Sequence, residues 1–182
     1  RKQDKTLHER TQIFDTVFHQ APIGIAISYG NHLIAVNPMY TQITGRSSEE
    51  LFRIGWEAVT HPDDIEREMA LFEQLRNGVI RRYTFEKRMI RPDASVVWVS
   101  MVVSVLRMDD TDSFNHICLL QDITEEKAIQ ESLSESERSK SVLLSHLPGM
   151  AYRCRYDPTW TMEFVSDGIY ELTGYRAKSL LH

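Results

Sequence analysis

Cysteine is scarce in this 182-residue chain: only Cys118 and Cys154 occur, and neither belongs to a Cys-x-x-Cys pair. That excludes a zinc knuckle and thioredoxin-type chemistry. Two small buried thiols in a reducing compartment are the plain reading. Positive charge is also in short supply. Lys and Arg number 21 against 26 Asp and Glu, a net charge of −5, with no basic stripe of the kind that grips a phosphate backbone. Nucleic acid is therefore not an expected partner. No run approaches the ~18 apolar residues of a membrane span, and no signal peptide opens the sequence. A cytoplasmic segment without membrane contact of its own is expected. Because it starts at Arg1 rather than Met, it reads as an excised piece whose parent protein stays free to carry an anchor elsewhere. Catalytic signatures are missing too: no Gly-rich phosphate loop, no Gly-x-Ser-x-Gly elbow, no His-Glu-x-x-His. The seven histidines form no acid–base constellation, so no catalytic residue is expected here. His61-Pro62-Asp63-Asp64 looks like a metal set, but a helix start explains all four residues, and no metal is expected.

What is present is an echo. Phe18-His19-Gln20-Ala21-Pro22-Ile23-Gly24-Ile25-Ala26 returns as Leu144-Ser145-His146-Leu147-Pro148-Gly149-Met150-Ala151-Tyr152, and Ile43-Thr44-Gly45-Arg46 returns as Leu172-Thr173-Gly174-Tyr175. The offset is 126 residues at the prolines and 129 at the Thr-Gly pairs. Solenoid repeats run only about 20–50 residues, so the period is that of a whole domain plus a linker. The expected organisation is an N-terminal amphipathic helix over 1–20, a complete domain over 21–123, a linker helix over 124–147, and the start of a second copy over 148–182.

Within the first copy, Leu7, Phe14, Val17 and Ala21 fall at a and d spacing, with Ile13 and Phe18 widening the stripe. Two apolar runs, Gly24–Tyr29 and His32–Asn37, meet at Gly30-Asn31 as a tight hairpin. Asn37-Pro38 opens a short helix that Gly45 closes. Ser47 with Glu50 forms a capping box. A longer helix runs from Pro62 to about Asn77, with Met69, Phe72 and Leu75 on one face. After Gly78 the period becomes two. Tyr83, Phe85, Lys87 and Met89 share a face, and beyond a turn at Arg91–Ala94 so do Val97, Val99, Met101, Val103 and Val105. Asp109–Ser113 is a polar loop, and Phe114–Gln121 is a last strand. Thr124 is the expected N-cap of the linker helix. In that helix Ile129, Leu133, Leu143 and Leu147 follow a and d positions, but Ser136 and Lys140 interrupt the seam. A weak two-stranded coil and a solvated connector both fit. Helices and antiparallel strands in this order make an α+β fold.

These motifs, in this order, resemble the PAS family of sensor domains. The carriers are Ala21-Pro22-Ile23-Gly24-Ile25, Val36-Asn37-Pro38, Thr44-Gly45 before Ser48-Glu49-Glu50-Leu51, His61-Pro62-Asp63-Asp64, the stretch Arg88–Val99 with Trp98 (the PAC region), and Gln121-Asp122-Ile123-Thr124-Glu125-Glu126-Lys127. The resemblance implies a five-stranded antiparallel sheet in the order 2-1-5-4-3 with helices on one face, flanked by signalling helices. It implies sensory work in a bacterial signal-transduction protein, with homodimerisation through flanking helices, where Leu7, Phe14 and Val17 would lie. A downstream output domain would follow, with diguanylate cyclase slightly favoured over histidine kinase. The alternative is a ligand-free spacer relaying motion between signalling domains. One departure is the turn Asp93-Ala94, where the family often has Asp-Gly. Ala resists positive φ, so a type I variant or a longer turn is expected.

By alternation and the family layout, a small-molecule pocket would be lined by Ile25, Ile27, Tyr40, Trp56, Met69, Phe72, Phe85, Met101 and Cys118; the same residues also suit a plain core. No coloured cofactor is expected, since no Asn-Cys-Arg-Phe run occurs and the long helix holds no haem-type His. Non-covalent flavin, which has no short motif, stays open, with Trp56 able to stack on a ring. The signal relay is expected at Asp122, Ile123 and Thr124, with Asp122 paired to Arg88 or Arg91. In the second copy, Tyr152, Trp160, Phe164 and Tyr170 would need burial against another surface.

Overall fold

The structure, a computed structural model, describes residues 2–30, 32–106, 114–145 and 149–181. Asn31, the Asp109–Ser113 loop, the His146–Pro148 part of the echo and the side chain of Leu7 lie outside the described residues. The chain divides into two compact units, Arg1–Lys127 and Ala128–His182. None of the described helices is long and apolar enough to cross a membrane.

In the first unit, helix α1 (Lys2–Gln20) precedes strands β1 (Gly24–Tyr29) and β2 (His32–Val36). Short helices α2 (Pro38–Thr44) and α3 (Ser48–Ile54) and a 3-10 turn (Glu57–Val59) lead to α4 (Pro62–Arg76). Strands β3 (Arg82–Ile90), β4 (Val96–Val105) and β5 (Asn115–Asp122) complete a five-stranded antiparallel sheet in the order β2-β1-β5-β4-β3. The helical connection between β2 and β3 carries the chain from one sheet edge to the other. That leaves β1 and β5 side by side in the middle, paired from Gly24↔Leu120 to Tyr29↔Asn115.

Asn37 ties the beginning of this fold together. It is fully buried. Its Oδ1 accepts from the backbone of Ile25 at 2.8 Å and of Tyr40 at 3.0 Å, and its Nδ2 donates to the carbonyls of Phe18 and Ile23 at 3.0 and 2.9 Å. Two donors and two acceptor sites are thereby all used, pinning the end of α1, the start of β1 and the N-terminus of α2. Ser47 caps α3 through Glu50 and His61 caps α4 through Asp63, as helix-start chemistry demands. Gly24 is required by close approach: a Cβ there would sit 3.1 Å from Leu120 Cβ and 3.2 Å from Tyr40 Cα.

The β3–β4 turn departs from expectation in one respect. It is closed by Ala94 N–H donating to Arg91 O at 3.0 Å, as in a type I turn, but Ala94 itself adopts φ +66°. Asp93 Oδ1 holds the next amide, Ser95 N, at 2.9 Å, and Arg91 N–H donates to Ser95 O at 2.9 Å. These bonds hold Ala94 in the left-handed well, where Gly is the usual occupant.

The second unit contains most of a helix begun in the first, α5 (Thr124–Ser145), then a two-stranded hairpin β6 (Tyr152–Cys154) and β7 (Met162–Val165), helix α6 (Ile169–Thr173) and a 3-10 turn (Ala177–Ser179). Gly174 ends α6 at φ +74°, as Gly45 ends α2 at φ +67°. The bonding repeats as well. In the first unit Asn37 N–H donates to Ile25 O at 2.9 Å while Ile25 N–H donates to the Asn37 side chain. In the second, Ser166 N–H donates to Ala151 O at 2.8 Å while Ala151 N–H donates to Ser166 Oγ at 2.9 Å. Tyr152, Trp160 and Tyr170 are exposed, as is Phe164 to a lesser degree, and so are Ile129, Leu133 and Leu143 of α5.

Candidate functional site

The inner face of the sheet and the helices enclose a cavity. Alternation selects its walls: Ala26 and Ser28 from β1 pair across with Cys118 and His116 of β5, and Met101 and Val103 of β4 pair with Leu120 and Cys118. Tyr83, Lys87 and Met89 of β3 complete the sheet side, and Tyr40, Trp56, Glu68 and Phe72 close it from the helices. The free interior volume is about 30 Å³, room for one or two waters.

This interior is polar at its centre. Lys87 Nζ donates to Glu68 Oε1 and Oε2 at 2.8 and 2.7 Å and to Thr60 Oγ1 at 2.9 Å. Both charged side chains are only 3% exposed, and Lys87 Nζ also lies 5.2 Å from the centroid of the Trp56 ring. All three ammonium donors are used, which is the condition for a buried pair to persist. Burial pushes the Glu68 carboxyl up, against the pull of the Lys87 charge. Burial also raises the Tyr40 and Tyr83 phenols and pushes the Cys118 thiol up to about 12, so the thiol is inert as a nucleophile. His116 is 4% exposed, stacked on Phe114 and edge-on to Phe72. Its Nδ1 has no hydrogen-bond partner among the described residues. Burial lowers its pKa to about 4, so the ring is neutral at pH 7.

Of the residues expected from sequence, Tyr40, Trp56, Phe72, Met101 and Cys118 face this cavity. Ile25 and Ile27 do not: the β1 residues on the cavity are Ala26 and Ser28, which puts the odd-numbered side chains on the opposite face. Phe85 packs in the core outside the cavity, beneath the Arg67 guanidinium. Met69 is half-buried, because Glu68 rather than Met69 joins Asp64, Phe72 and Leu75 on the inward face of α4. Sequence reasoning missed Glu68, Thr60 and His116. It had the signal for Lys87, which alternates onto the face of Tyr83, Phe85 and Met89.

The strand–helix junction is built differently from expectation. A single residue, Ile123, separates β5 from α5, and its N–H donates to Trp98 O at 2.9 Å. Ile123, not Thr124, supplies the first carbonyl of the helix, accepting from Lys127 N–H at 3.0 Å. The Thr124 hydroxyl instead accepts from Trp98 N–H at 3.0 Å, and Asp122 Oδ1 accepts from Thr124 N–H at 2.9 Å. Arg91 reaches Asp122 only at 3.9 Å, with both groups about a third exposed, while its Nε donates to Ile43 O at 2.9 Å. Arg88 does not pair with Asp122. Its Nε and Nη2 donate to Asp64 at 3.0 and 2.9 Å, its backbone N–H donates to the same carboxylate at 2.9 Å, and Asp63 adds a longer bond. The Arg88 guanidinium holds the Asp64 carboxyl below the usual carboxylate range.

Cavity and junction share two elements. Asp64 and Glu68 lie one turn apart on α4 and grip the adjacent residues Arg88 and Lys87, which leave β3 on opposite faces. Arg88 then lies 5.6 Å from the Trp98 ring, and Lys127, bound to Glu86 at 2.6 Å, lies 5.3 Å from the same ring. Among the described residues no group of three or more His, Cys, Asp or Glu is placed to hold a metal ion.

The family model described as "PAS domain" matches residues 22–125, more than half of the chain. A probable diguanylate cyclase of Escherichia coli strain K12, DgcE, is 28% identical over 132 residues, covering 72% of this chain and 12% of that protein. The sensor histidine kinase TmoS of Ectopseudomonas mendocina is 25% identical over 125 residues, covering 67% and 13%. The chain thus spans about an eighth of the length of the curated relatives it matches. Among solved structures, the PAS domain of a protein from Colwellia psychrerythraea superposes with a TM-score of 0.54 at 20% identity, over 66% of this chain and 98% of that one.

Proposed function

This chain belongs to the PAS domain family, and from that premise we propose that it senses a small molecule in the cavity and passes the resulting shift through Asp122-Ile123-Thr124 into α5. The observation that carries the reading is the junction. The start of α5 is fastened to β4 by two bonds at Trp98, and Trp98 is overlaid by Arg88, whose partner Asp64 sits one turn from the cavity residue Glu68. A ligand that favours one arrangement of this set over another shifts the helix by population. The segment itself performs no catalysis. An output domain in the parent protein acts on the signal, with a diguanylate cyclase slightly favoured over a histidine kinase, and residues 148–182 begin a second copy of the domain. The repeated Ser166–Ala151 bond pair supports that copy. Homodimerisation through α1 and α5, with Phe14 and Val17 exposed on α1, and a cytoplasmic location complete the proposal.

The ligand-free spacer is the second reading, favoured by the small interior and its self-satisfied ion pair. Two measurements test the proposal. Native mass spectrometry of the chain as purified should reveal a stoichiometric small molecule; a clean apo mass supports the spacer. Hydrogen exchange should show that Thr124→Val, which removes the acceptor of the Trp98 amide, lowers protection of the Trp98 and Ile123 amides without changing β3. Unchanged protection would remove the junction as the holding point.

A further inference from the structure

We propose that the cavity selects a small uncharged molecule of a few heavy atoms that carries both a hydrogen-bond donor and an acceptor, such as a simple amide or alcohol, and that His116 is the residue that recognises it. The inference rests on reading the interior as a ligand site and names the chemistry of what enters. Charge comes first. Among the described residues the one cation and one anion on the cavity wall, Lys87 and Glu68, satisfy each other at 2.7–2.8 Å, with Thr60 taking the remaining ammonium donor. An entering ion of either sign would have to break that pair or stay uncompensated in a buried site, and both cost heavily.

Hydrogen bonding comes second. His116 is 96% buried on a face that opens into the cavity, and its Nδ1 is without a partner among the described residues. A buried polar atom left unpaired demands an explanation. A neutral imidazole offers one N–H donor and one bare nitrogen acceptor, so its complement is a molecule able to do either. Size comes third. About 30 Å³ holds a water as it stands, and the half-buried Trp56 ring is the wall that can yield to a slightly larger guest.

The test is a titration of the whole chain with acetamide, 2-propanol, sodium acetate and methylammonium chloride. The His116 imidazole nitrogens are followed by NMR. The expected result is a saturable shift of His116 with acetamide or 2-propanol, larger than that of the other histidines, and no saturable shift with acetate or methylammonium at matched ionic strength. In the variants, which lack that imidazole, binding is followed by the indole N–H resonance of the cavity residue Trp56; His116→Phe should weaken binding of the neutral probe at least tenfold. His116→Gln, which keeps a donor and an acceptor, should retain binding within about threefold, guarding against misfolding of the first variant. A resident water that no probe displaces, seen as a linear response to every probe, overturns the inference. Saturation by an ion overturns the neutrality argument while leaving the cavity a ligand site, so this failure is distinguishable from failure of the sensor reading.

Discussion

Removing one partner of the buried Glu68–Lys87 pair should be far more damaging than removing both. With both side chains 3% exposed and the ammonium held by two carboxylate oxygens and Thr60, Lys87→Met leaves an anion with no counter-charge. Breaking such a pair costs about 3–5 kcal/mol, a large share of the 5–15 kcal/mol that holds a typical domain together. Replacing both with apolar residues of similar volume, Lys87→Met with Glu68→Leu, is expected to be neutral or stabilising by about 1–4 kcal/mol, as desolvation of both charges is avoided. Urea unfolding followed by far-UV circular dichroism measures all four corners of the cycle. A pH series adds a sign. Glu68 already has its pKa raised by burial, and loss of Lys87 removes the opposing pull. A carboxyl whose folded pKa is raised holds a proton that the unfolded chain has released, so stability falls as pH rises. The Lys87→Met variant should therefore regain stability when acidified from pH 7 towards pH 5. Two single variants each costing less than about 1 kcal/mol and adding in the double would refute the claim that the pair is a buried, coupled unit.

His116 makes a second titration. Its pKa is about 4 in the fold against 6.5 as the ordinary value, so acidification between those two pH values protonates the unfolded chain first. That should cost roughly 3 kcal/mol of stability, a loss that His116→Phe abolishes in the same unfolding assay. Ala94→Gly should relieve left-handed strain at φ +66° and stabilise by about 0.5–1 kcal/mol after the entropy cost of glycine, raising the calorimetric Tm by a few degrees. A cycle on Arg91 and Asp122, 3.9 Å apart and part-exposed, should show coupling below about 0.5 kcal/mol, whereas Arg88 with Asp64, joined by three hydrogen bonds to one carboxylate, should couple more strongly. Because the Asp64 pKa is depressed by Arg88, its contribution is present at neutral pH and lost as pH falls through that lowered value, so Asp64→Asn should flatten the acid limb.

The order of elements was legible in the sequence because it follows from local rules, whereas the strand order 2-1-5-4-3 came from the family resemblance. Period-two alternation, Asn37-Pro38 and Ser47 as helix starts, and Gly30 and Gly45 at positive φ act over a few residues, and any chain obeys them before it packs. The inward position of Lys87 was legible for the same reason. Its counterpart Glu68, 19 residues earlier, was not, because a helical stripe specifies a face only to within one position, and Met69 competes with Glu68 for it. The pairing of Arg88 with Asp64 rather than Asp122 likewise depended on where α4 crosses β3. Thr124 looked like a cap in sequence, but the hydroxyl went to Trp98 N–H once β4 lay beside the junction. Local chemistry decided which residues turn, cap and face inward. Only the tertiary structure decided which charges meet, since a buried charge takes whatever partner the packed elements bring within reach.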